Sequence, residues 1–368
     1  MSANSSIEWT DRTWNPLLGC EKVSAGCDRC YAVTTATIRA GNPHLKVAAA
    51  FAGLTARNDD GAIDWTGRIN LLPERLAQPL GWRKSSKVFV NSQADLFHKD
   101  VPDDFIAQVF AVMAMAPIHT FQLLTKRHAR MRSLLCSAAF HRLVATTVPM
   151  YGGRDPDAAQ DYVTSTWPLP NVWVGVSIED QHWADIRIPA LLDTPAAVRW
   201  LSCEPLLGPV KLPLLEEVGE CTCSGGGFGY GHEPHCGLEP GPAFGLLHWV
   251  VVGGESGSGA RPMHPDWARA IRNQCRAAGV PFLFKQWGEY GELPKSPADL
   301  GVTVANDGTV YQPGDLSWPD GPRYGEAIRA NHNQAHLHQM YRVGKKFAGR
   351  ELDDRTHDEY PMPALVGA

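Results

Sequence analysis

The sequence predicts an α/β protein, a complete or partial TIM-like (β/α) barrel of about six or seven parallel strands. Three observations predict it: short apolar runs recur along the chain, amphipathic stretches separate them, and each run ends in polar residues. Runs of this kind are typical of buried parallel strands, and their alternation with helices indicates βαβ units. A doubly wound open sheet is the alternative that the pattern leaves open.

The apolar runs are rich in β-branched and aromatic residues, and the helical stretches carry local end signals such as Pro265 at a first turn and Gly279 after a last one. The runs span residues 87–95, 119–127, 171–180, 198–205, 248–256 and 280–289, with a weaker first run at 6–9. We predict helices over 103–116, 129–143, 181–192 and 265–278, and a helix-like stretch near 324–343.

Composition narrows the class of protein. Hydrophobic residues make up 44% and charged residues 20% of 368, which excludes a disordered chain. The formal net charge of −5 excludes a strongly basic scaffold and leaves room for a local basic groove. No apolar segment suits a membrane span and no signal core opens the chain, so we expect a cytoplasmic protein without a membrane partner. Nine cysteines in such a compartment indicate metal binding or chemistry.

Polar residues follow the six stronger predicted strands at the point where each strand ends. Because the carboxyl ends of parallel strands meet at one mouth of a (β/α) barrel, we expect these residues to line a ligand-binding mouth. For any single position, a plain strand end is the alternative. The positions are Asn91–Ser92, Thr125–Arg127, Ser177–Glu179, Ser202–Glu204, Glu255–Ser256 and Lys285–Gln286.

Three cysteines, Cys20, Cys27 and Cys30, follow the first predicted strand with C-x6-C-x2-C spacing. Three thiolates this close can hold one soft metal centre and leave a coordination position open. An iron–sulfur cluster with one unligated iron fits this spacing. A zinc site with a distant fourth ligand such as His44, and a loop without metal, are the alternatives.

The chain resembles a phage- and prophage-associated, three-Cys-motif family of unknown function, of the DUF5131 type. The resemblance rests on stretches such as IEWTDRTWNPLLGC, SAGCDRCYA, VFVNSQADLFHKDVPDDF, WLSCEPLLGPV, VPFLFKQWGE and VGKKFAGRELDDRTHDEYP. That family in turn resembles the radical S-adenosylmethionine (SAM) superfamily, in which the usual spacing is C-x3-C-x2-C. Here the first gap is six residues, and Arg29 stands where an aromatic residue is usual.

The second resemblance implies a mechanism. Cys20, Cys27 and Cys30 would hold three irons of a [4Fe–4S] cluster, whose fourth iron would bind SAM. The reduced cluster would cleave SAM, and the resulting 5′-deoxyadenosyl radical would abstract hydrogen from a substrate. A reductase or a flavodoxin- or ferredoxin-type protein would donate the electron. The phage association suggests DNA or RNA, or a nucleotide, as the substrate of a modification or repair reaction.

The resemblance also suggests which strand ends hold SAM. Asp95 is the candidate for the amine, Lys126 or Arg127 for the carboxylate, and Ser177 with Glu179 for the ribose. Glycine-rich backbone near Glu255 would contact SAM or the substrate. The full set of cofactor-binding candidates is Ser92, Asp95, Lys126, Ser177, Glu179, Glu204, Gly253, Gly254 and Glu255.

We predict two parts: a partial barrel over residues 1–292 and a C-terminal extension, 293–368, that packs on it. Residues 214–245 form an insertion whose Cys and His residues with Gly-rich spacers resemble a small zinc knuckle, although C-x-C with H-x2-H-C matches no standard finger spacing. Its candidate zinc ligands are Cys221, Cys223, His232, His235 and Cys236. This insertion supports a second hypothesis, a non-catalytic zinc-binding interaction protein on a barrel scaffold. A third, a hydrolase or transferase with a divalent metal, is disfavoured because hard metals prefer oxygen ligands.

Overall fold

A computed structural model describes residues 5–152, 155–213 and 247–361. Its main element is a sheet of seven strands that all run parallel. The strands are β1 (Arg12–Trp14), β2 (Lys87–Val90), β3 (Thr120–Thr125), β4 (Val172–Ser177), β5 (Val198–Cys203), β6 (Trp249–Gly253) and β7 (Phe282–Gln286).

Ten α-helices accompany the sheet in the described residues. They are α1 (Tyr31–Ala40), α2 (Leu45–Phe51), α3 (Asp103–Ala114), α4 (His128–Leu135), α5 (Ala138–Thr147), α6 (Pro156–Ser165), α7 (Gln181–Leu192), α8 (Pro265–Ala278), α9 (Tyr324–Arg329) and α10 (Lys345–Ala348). None of these helices has both the length and the apolar character needed to cross a membrane.

The strands follow one another in the sheet in chain order, from β1 at one edge to β7 at the other. A doubly wound sheet would reverse direction at a switch point, and this sheet has none. The sheet curls into a half-barrel, and within the described residues β1 and β7 are not paired. The structure therefore agrees with a partial (β/α) barrel, and the predictions of a complete barrel and of a doubly wound sheet are wrong.

The two faces of the sheet pack differently. The outer face contacts the helices through the larger hydrophobic core. The inner face is filled by aromatic rings: Trp9 lies 4.7 Å from Phe89 and 5.1 Å from Trp200, between ring centroids, and Trp200 lies 5.3 Å from Trp249. A Cβ atom on Gly175 would approach the Trp200 indole to 2.5 Å. The inner face therefore needs glycine at that position, and the rings form a solid floor below the carboxyl ends of the strands.

Segments near the two ends of the described chain cover the open side of the half-barrel. Residue Asp358 bridges antiparallel to Leu283 on the edge strand β7. Two residues later, the Tyr360 ring stacks on Trp249 at 5.2 Å, and its hydroxyl donates to the carbonyl of Glu8 at 3.3 Å. The aromatic floor is thus closed by residues that are 352 positions apart in sequence.

A small antiparallel sheet follows β7 and packs beside the barrel. Its strands are β8 (Tyr290–Gly291), β9 (Val302–Ala305), β10 (Val310–Tyr311) and β11 (Leu337–Arg342), in the spatial order β8-β11-β9-β10. The Trp267 indole of α8 donates to the carbonyl of Asn306 at 2.8 Å, and that of Trp287 donates to Glu351 at 2.7 Å. These contacts attach the extension to the barrel.

Three sequence predictions about elements are wrong. Residues 6–9 form a turn rather than a strand, because Trp9 serves as filler of the inner face. The stretch 324–343 contains the short helix α9, a 3-10 helix at Gln334–His336 and then β11, with Asn331 in the left-handed region (φ 56°) after α9. The segment 129–143 breaks into α4 and α5, because the Ser137 hydroxyl accepts from the Phe140 amide and starts a new helix. The insertion 214–245 lies outside the described residues.

Candidate functional site

A cavity of about 400 Å³ opens at the carboxyl ends of the strands, above the aromatic floor. Most of the residues predicted from the sequence line it, although they come from distant parts of the chain. Among the predicted set, Glu179 and Gly253 do not line it. The residues that do are Cys20, Cys27, Cys30, Ser92, Asp95, Lys126, Ser177, Glu204, Gly254 and Glu255.

The segment Cys20–Cys30, which we call the thiol loop, carries all three motif cysteines, and each is half-buried. A short 3-10 helix, Ala25–Cys27, presents the second cysteine, and Cys30 is the N-terminal cap of α1. Burial raises the pKa of Cys20 to about 12, with a further contribution from the charge of Asp95, and burial also raises the pKa of Cys30. The thiols of Cys20 and Cys30 are therefore neutral at pH 7 unless a metal cation stabilises their thiolates.

The donor set of the loop suits a soft metal, since its three side chains are sulfurs. Within residues 5–152, 155–213 and 247–361, no three or more His, Cys, Asp or Glu side chains are arranged to hold a single metal ion. A cluster differs from a single ion because each thiolate binds a different iron. Among the described residues, the three thiols share the lining of one cavity and do not form a single-ion site. The predicted zinc ligands Cys221, Cys223, His232, His235 and Cys236 lie outside the described residues.

The structure gives Asp95 a set of partners that the sequence did not reveal. Its carboxylate accepts the Thr125 hydroxyl at 2.7 and 2.8 Å, the Phe97 amide at 3.0 Å and the Lys126 amide at 3.0 Å. The side chain is buried. Asp95 thus joins the loop after β2 to the end of β3, which is a different task from binding an amine.

Glu179 is the centre of a second polar network and is fully buried. Its Oε1 accepts hydrogen bonds from Lys126 and from Ser24 of the thiol loop, and its Oε2 accepts from Arg187 at 3.0 Å. The Lys126 ammonium also donates to the Ser177 hydroxyl at 2.8 Å. Lys126 therefore joins two other sequence-predicted residues, Ser177 and Glu179.

Glu255 forms the matching network at the far side of the cavity. Its two carboxylate oxygens accept from the Arg261 guanidinium at 2.6 and 2.9 Å and from the Arg261 amide at 2.8 Å. The neighbouring Gly254 allows the backbone to pass close to Trp287, whose carbonyl oxygen would lie 1.9 Å from a Cβ atom at this position. The glycine-rich turn therefore has a packing role as well as a place in the cavity wall.

The remaining predicted residues lie between these networks. Lys285 donates to Glu204 at 2.5 Å, and a Cβ atom on Gly253 would lie 3.1 Å from the same carboxylate. The Ser92 hydroxyl accepts a hydrogen bond from the side-chain amide of Asn15 at 3.2 Å, and the Ser92 carbonyl accepts one from the Tyr31 hydroxyl at 2.8 Å.

Sequence reasoning missed Arg187 and Arg261 as parts of the site. Arg187 lies inside an ordinary helical pattern, and nothing local marks it. Arg261 follows the glycine-rich turn, and a cation next to Glu255 in that turn was the signal that could have found it. Asn91 was named only as a strand end, yet it is buried in the left-handed region (φ 63°) and lines the cavity.

Most of the charged side chains that line the cavity form ion pairs, whereas Asp95 is bound by a hydroxyl and two backbone amides. Among the cations that line it, Lys126, Arg127, Lys285 and Lys345 form ion pairs with Glu179, Glu21, Glu204 and Glu8. Arg29, between Cys27 and Cys30, differs: it is exposed and has no ion pair in the part of the chain that the structure describes. Its guanidinium lies against Gly259, where a Cβ atom would come within 3.0 Å.

One of the comparisons with known proteins identifies the family to which the chain belongs. The model of a family described as protein of unknown function (DUF5131) matches residues 4–361. A search of curated proteins finds no match, and a search of solved structures finds none either. Since the family model covers nearly the whole sequence, from before β1 to the segment that closes the half-barrel, the chain belongs to the DUF5131 family.

Proposed function

We propose that this protein is a radical-SAM-like enzyme. Cys20, Cys27 and Cys30 would hold a [4Fe–4S] cluster, and SAM would bind in the adjoining cavity. The observation that carries the proposal is that three half-buried thiols of one loop line a single cavity at the carboxyl ends of a curled parallel sheet. When bound, the cluster supplies the electron that cleaves SAM, so that hydrogen can be abstracted from a substrate.

The protein's own groups suit this task in two ways. The aromatic floor of Trp9, Phe89 and Trp200 keeps water away from one side of the cavity, which protects reactive species from side reactions. The exposed surface of the thiol loop offers a reductase, or a flavodoxin- or ferredoxin-type protein, a short path to the cysteines, since Asp28 and Arg29 are exposed.

A nucleotide, free or within a nucleic acid, is the substrate class that we propose. Aromatic side chains beside the cavity can stack on a base, and Trp65 and Tyr31 line it together with Trp9. Arg29, without a counterion in the described residues, is placed to receive a phosphate at the rim. The other lining cations are already paired within the protein, which leaves Arg29 as the lining cation available to a phosphate.

The central experiment is anaerobic purification, reconstitution with iron and sulfide, reduction, and addition of SAM. We expect a brown protein that releases 5′-deoxyadenosine. Cys27→Ser is expected to lose the iron, whereas Cys136→Ser, the matched change of a half-buried cysteine outside the loop, is expected to keep it. A colourless protein that contains zinc alone at the three cysteines would refute the proposal and support a zinc-binding interaction protein.

The substrate class has a test of its own in the metal-free protein. Calorimetry should show adenosine monophosphate binding about tenfold more tightly than adenosine, since a charge-assisted hydrogen bond contributes about 1.5–3 kcal/mol and exposure reduces it. In Arg29→Gln this preference should disappear while adenosine binding stays the same. Equal binding of the two ligands by the unaltered protein would exclude Arg29 as a phosphate contact.

A further inference from the structure

The thiol loop is attached to the barrel by residues that lie beside its cysteines, and the hydroxyl of one of them, Ser24, also lies 3.9 Å from the Cys27 sulfur. On one side, the Ser24 hydroxyl donates to the fully buried carboxylate of Glu179, just beyond the end of β4. Gly26 lies against the same side chain, because a Cβ atom there would be 2.4 Å from both Cγ and Oε1 of Glu179. Two residues that flank Ala25 therefore rest on one carboxylate.

The other side of the loop is held by a second carboxylate through an arginine. Arg261, paired with Glu255, donates to the carbonyl of Ala25 at 2.8 Å and lies 3.7 Å from the carboxylate of Asp28. Residues 24, 25, 26 and 28 thus have partners in the barrel, and Cys27 lies among them. The position of this cysteine is set by its neighbours.

The buried charge of Glu179 is compensated by groups that belong to the barrel alone. Lys126 follows β3 and Arg187 lies on α7, and both pair with the carboxylate. Arg187 is itself fully buried and also donates to the carbonyl of Ser177 at 2.6 Å. An ion pair of this kind is retained only when its geometry is good, because desolvation opposes it. The acceptor offered to Ser24 is therefore held by the barrel's own Lys126 and Arg187, without any contribution from a metal.

We propose that Glu179 is a positioning residue that holds the thiol loop against the end of β4 through Ser24 and Gly26. The Glu255–Arg261 pair holds the opposite side of the loop. This inference rests on the proposed function, since it assigns Glu179 to the loop that would carry the cluster rather than to the ribose of SAM. It also means that the metal-free protein keeps the thiol loop against the end of β4.

The test is alkylation of the reduced, metal-free protein with iodoacetamide, followed by peptide mass mapping. Cys136, a half-buried thiol at the end of α4, is the internal reference. Ser24→Ala and Gly26→Ala should each raise the alkylation rate of Cys27 relative to Cys136 by about tenfold, because the first removes a buried hydrogen bond and the second places a Cβ that overlaps Glu179, and either change favours local opening. Gly81→Ala is the matched control, since nothing lies within 4 Å of a Cβ atom at that position.

A second pair of variants shows whether the effect passes through the carboxylate. Glu179→Gln keeps an acceptor for Ser24 and removes the charge, so its effect on Cys27 should be smaller than that of Glu179→Ala. The double variant Ser24→Ala with Glu179→Ala should alkylate no faster than Glu179→Ala alone. Additive effects would show that Ser24 acts independently of Glu179 and would overturn the proposal. Because Ser24→Ala and Gly26→Ala lie in the loop, they test the proposal even if Glu179→Ala fails to fold.

The same samples separate this inference from the proposed function. Iron uptake by the unaltered protein, together with wild-type alkylation rates in Ser24→Ala and Gly26→Ala, would overturn the positioning role and leave the cluster proposal standing. If Ser24→Ala and Gly26→Ala show the expected faster alkylation but the unaltered protein takes up no iron, the positioning role stands and the cluster proposal is overturned. If both hold, the electron paramagnetic resonance spectrum of the reduced, reconstituted Gly26→Ala protein should differ from that of the unaltered protein and of Gly81→Ala.

Discussion

The replacement of Asp95 by asparagine distinguishes sharply between two roles of this residue. The sequence predicts that its carboxylate binds the amine of SAM, whereas the structure shows it buried and accepting one hydroxyl and two backbone amides. In Asp95→Asn one end of the side chain carries hydrogens. Whichever way the amide turns, it therefore faces the backbone N–H of Phe97 or of Lys126 with a donor.

The size of the effect follows from these contacts. A buried N–H left without an acceptor costs about 1–3 kcal/mol, and the other bonds weaken because the acceptor is no longer charged. We expect Asp95→Asn to lower the free energy of unfolding by about 2–4 kcal/mol. The assay is urea denaturation at pH 7, in which the midpoint should fall while the dependence on urea stays the same.

A matched control lies five residues further along the same segment. Asp100 is more than half exposed and pairs with Lys99 at 3.2 Å, so Asp100→Asn should change the stability by no more than about 0.5 kcal/mol. If Asp95→Asn is as stable as the unaltered protein but no longer binds SAM, the structural reasoning is refuted and the sequence prediction is right.

Three further predictions concern the loop, the inner face and pH. Cys27→Ala should abolish iron uptake during anaerobic reconstitution and leave the far-ultraviolet circular dichroism unchanged, because the loop carries little of the core. Gly175→Ala should lower the free energy of unfolding by about 1–3 kcal/mol, since its Cβ would overlap the Trp200 indole. Burial lowers the pKa of His264 below 6.5, while Asp266 opposes this shift and His338 and Arg269 add to it. As the pH falls through 6.5, the histidine of the unfolded state therefore takes up a proton before that of the folded state. The free energy of unfolding should decrease as a result.

Each of these has a result that would count against it. Full iron content in Cys27→Ala would remove that cysteine from the ligand set. An unfolding midpoint of Gly175→Ala equal to that of Gly81→Ala would mean that the aromatic floor adjusts freely. For pH, His264→Asn keeps a capping side chain for α8 and does not titrate, so it should lose less stability between pH 7 and 5. If the free energy of unfolding falls equally in the two proteins between pH 7 and 5, other titrating groups cause the loss of stability in acid.

Local signals explain why much of the fold could be predicted. The helix α8 begins at Pro265 and ends before Gly279, which takes the left-handed conformation (φ 67°), and both residues are visible in the sequence. The six β-branched runs became strands because a strand buried on both faces is apolar throughout. The segment 6–9 misled the prediction because an apolar run looks the same whether it pairs as a strand or fills a barrel.

The sequence predicted where the candidate site lies but not which of its side chains form hydrogen bonds with one another. Strand ends of a parallel sheet meet at one mouth, so polar residues there were expected to gather, and most of them line one cavity. Which of them bind each other was not visible. Glu179 and Asp95 were predicted as ligand contacts, and the structure shows the partners they have within the protein, which include Ser24 and Thr125.

By itself, the sequence determined the spacing of the three cysteines and the repeated strand–helix units, because both depend only on residues that are close together along the chain. Only the tertiary structure decided what anchors the thiol loop. Ser24 and Glu179 are 155 positions apart, and Arg261 and Ala25 are 236 apart. Contacts over such distances depend on how the sheet curls, and the inner face of the curled sheet is packed by Trp9, Trp200 and Trp249, which come from distant parts of the sequence.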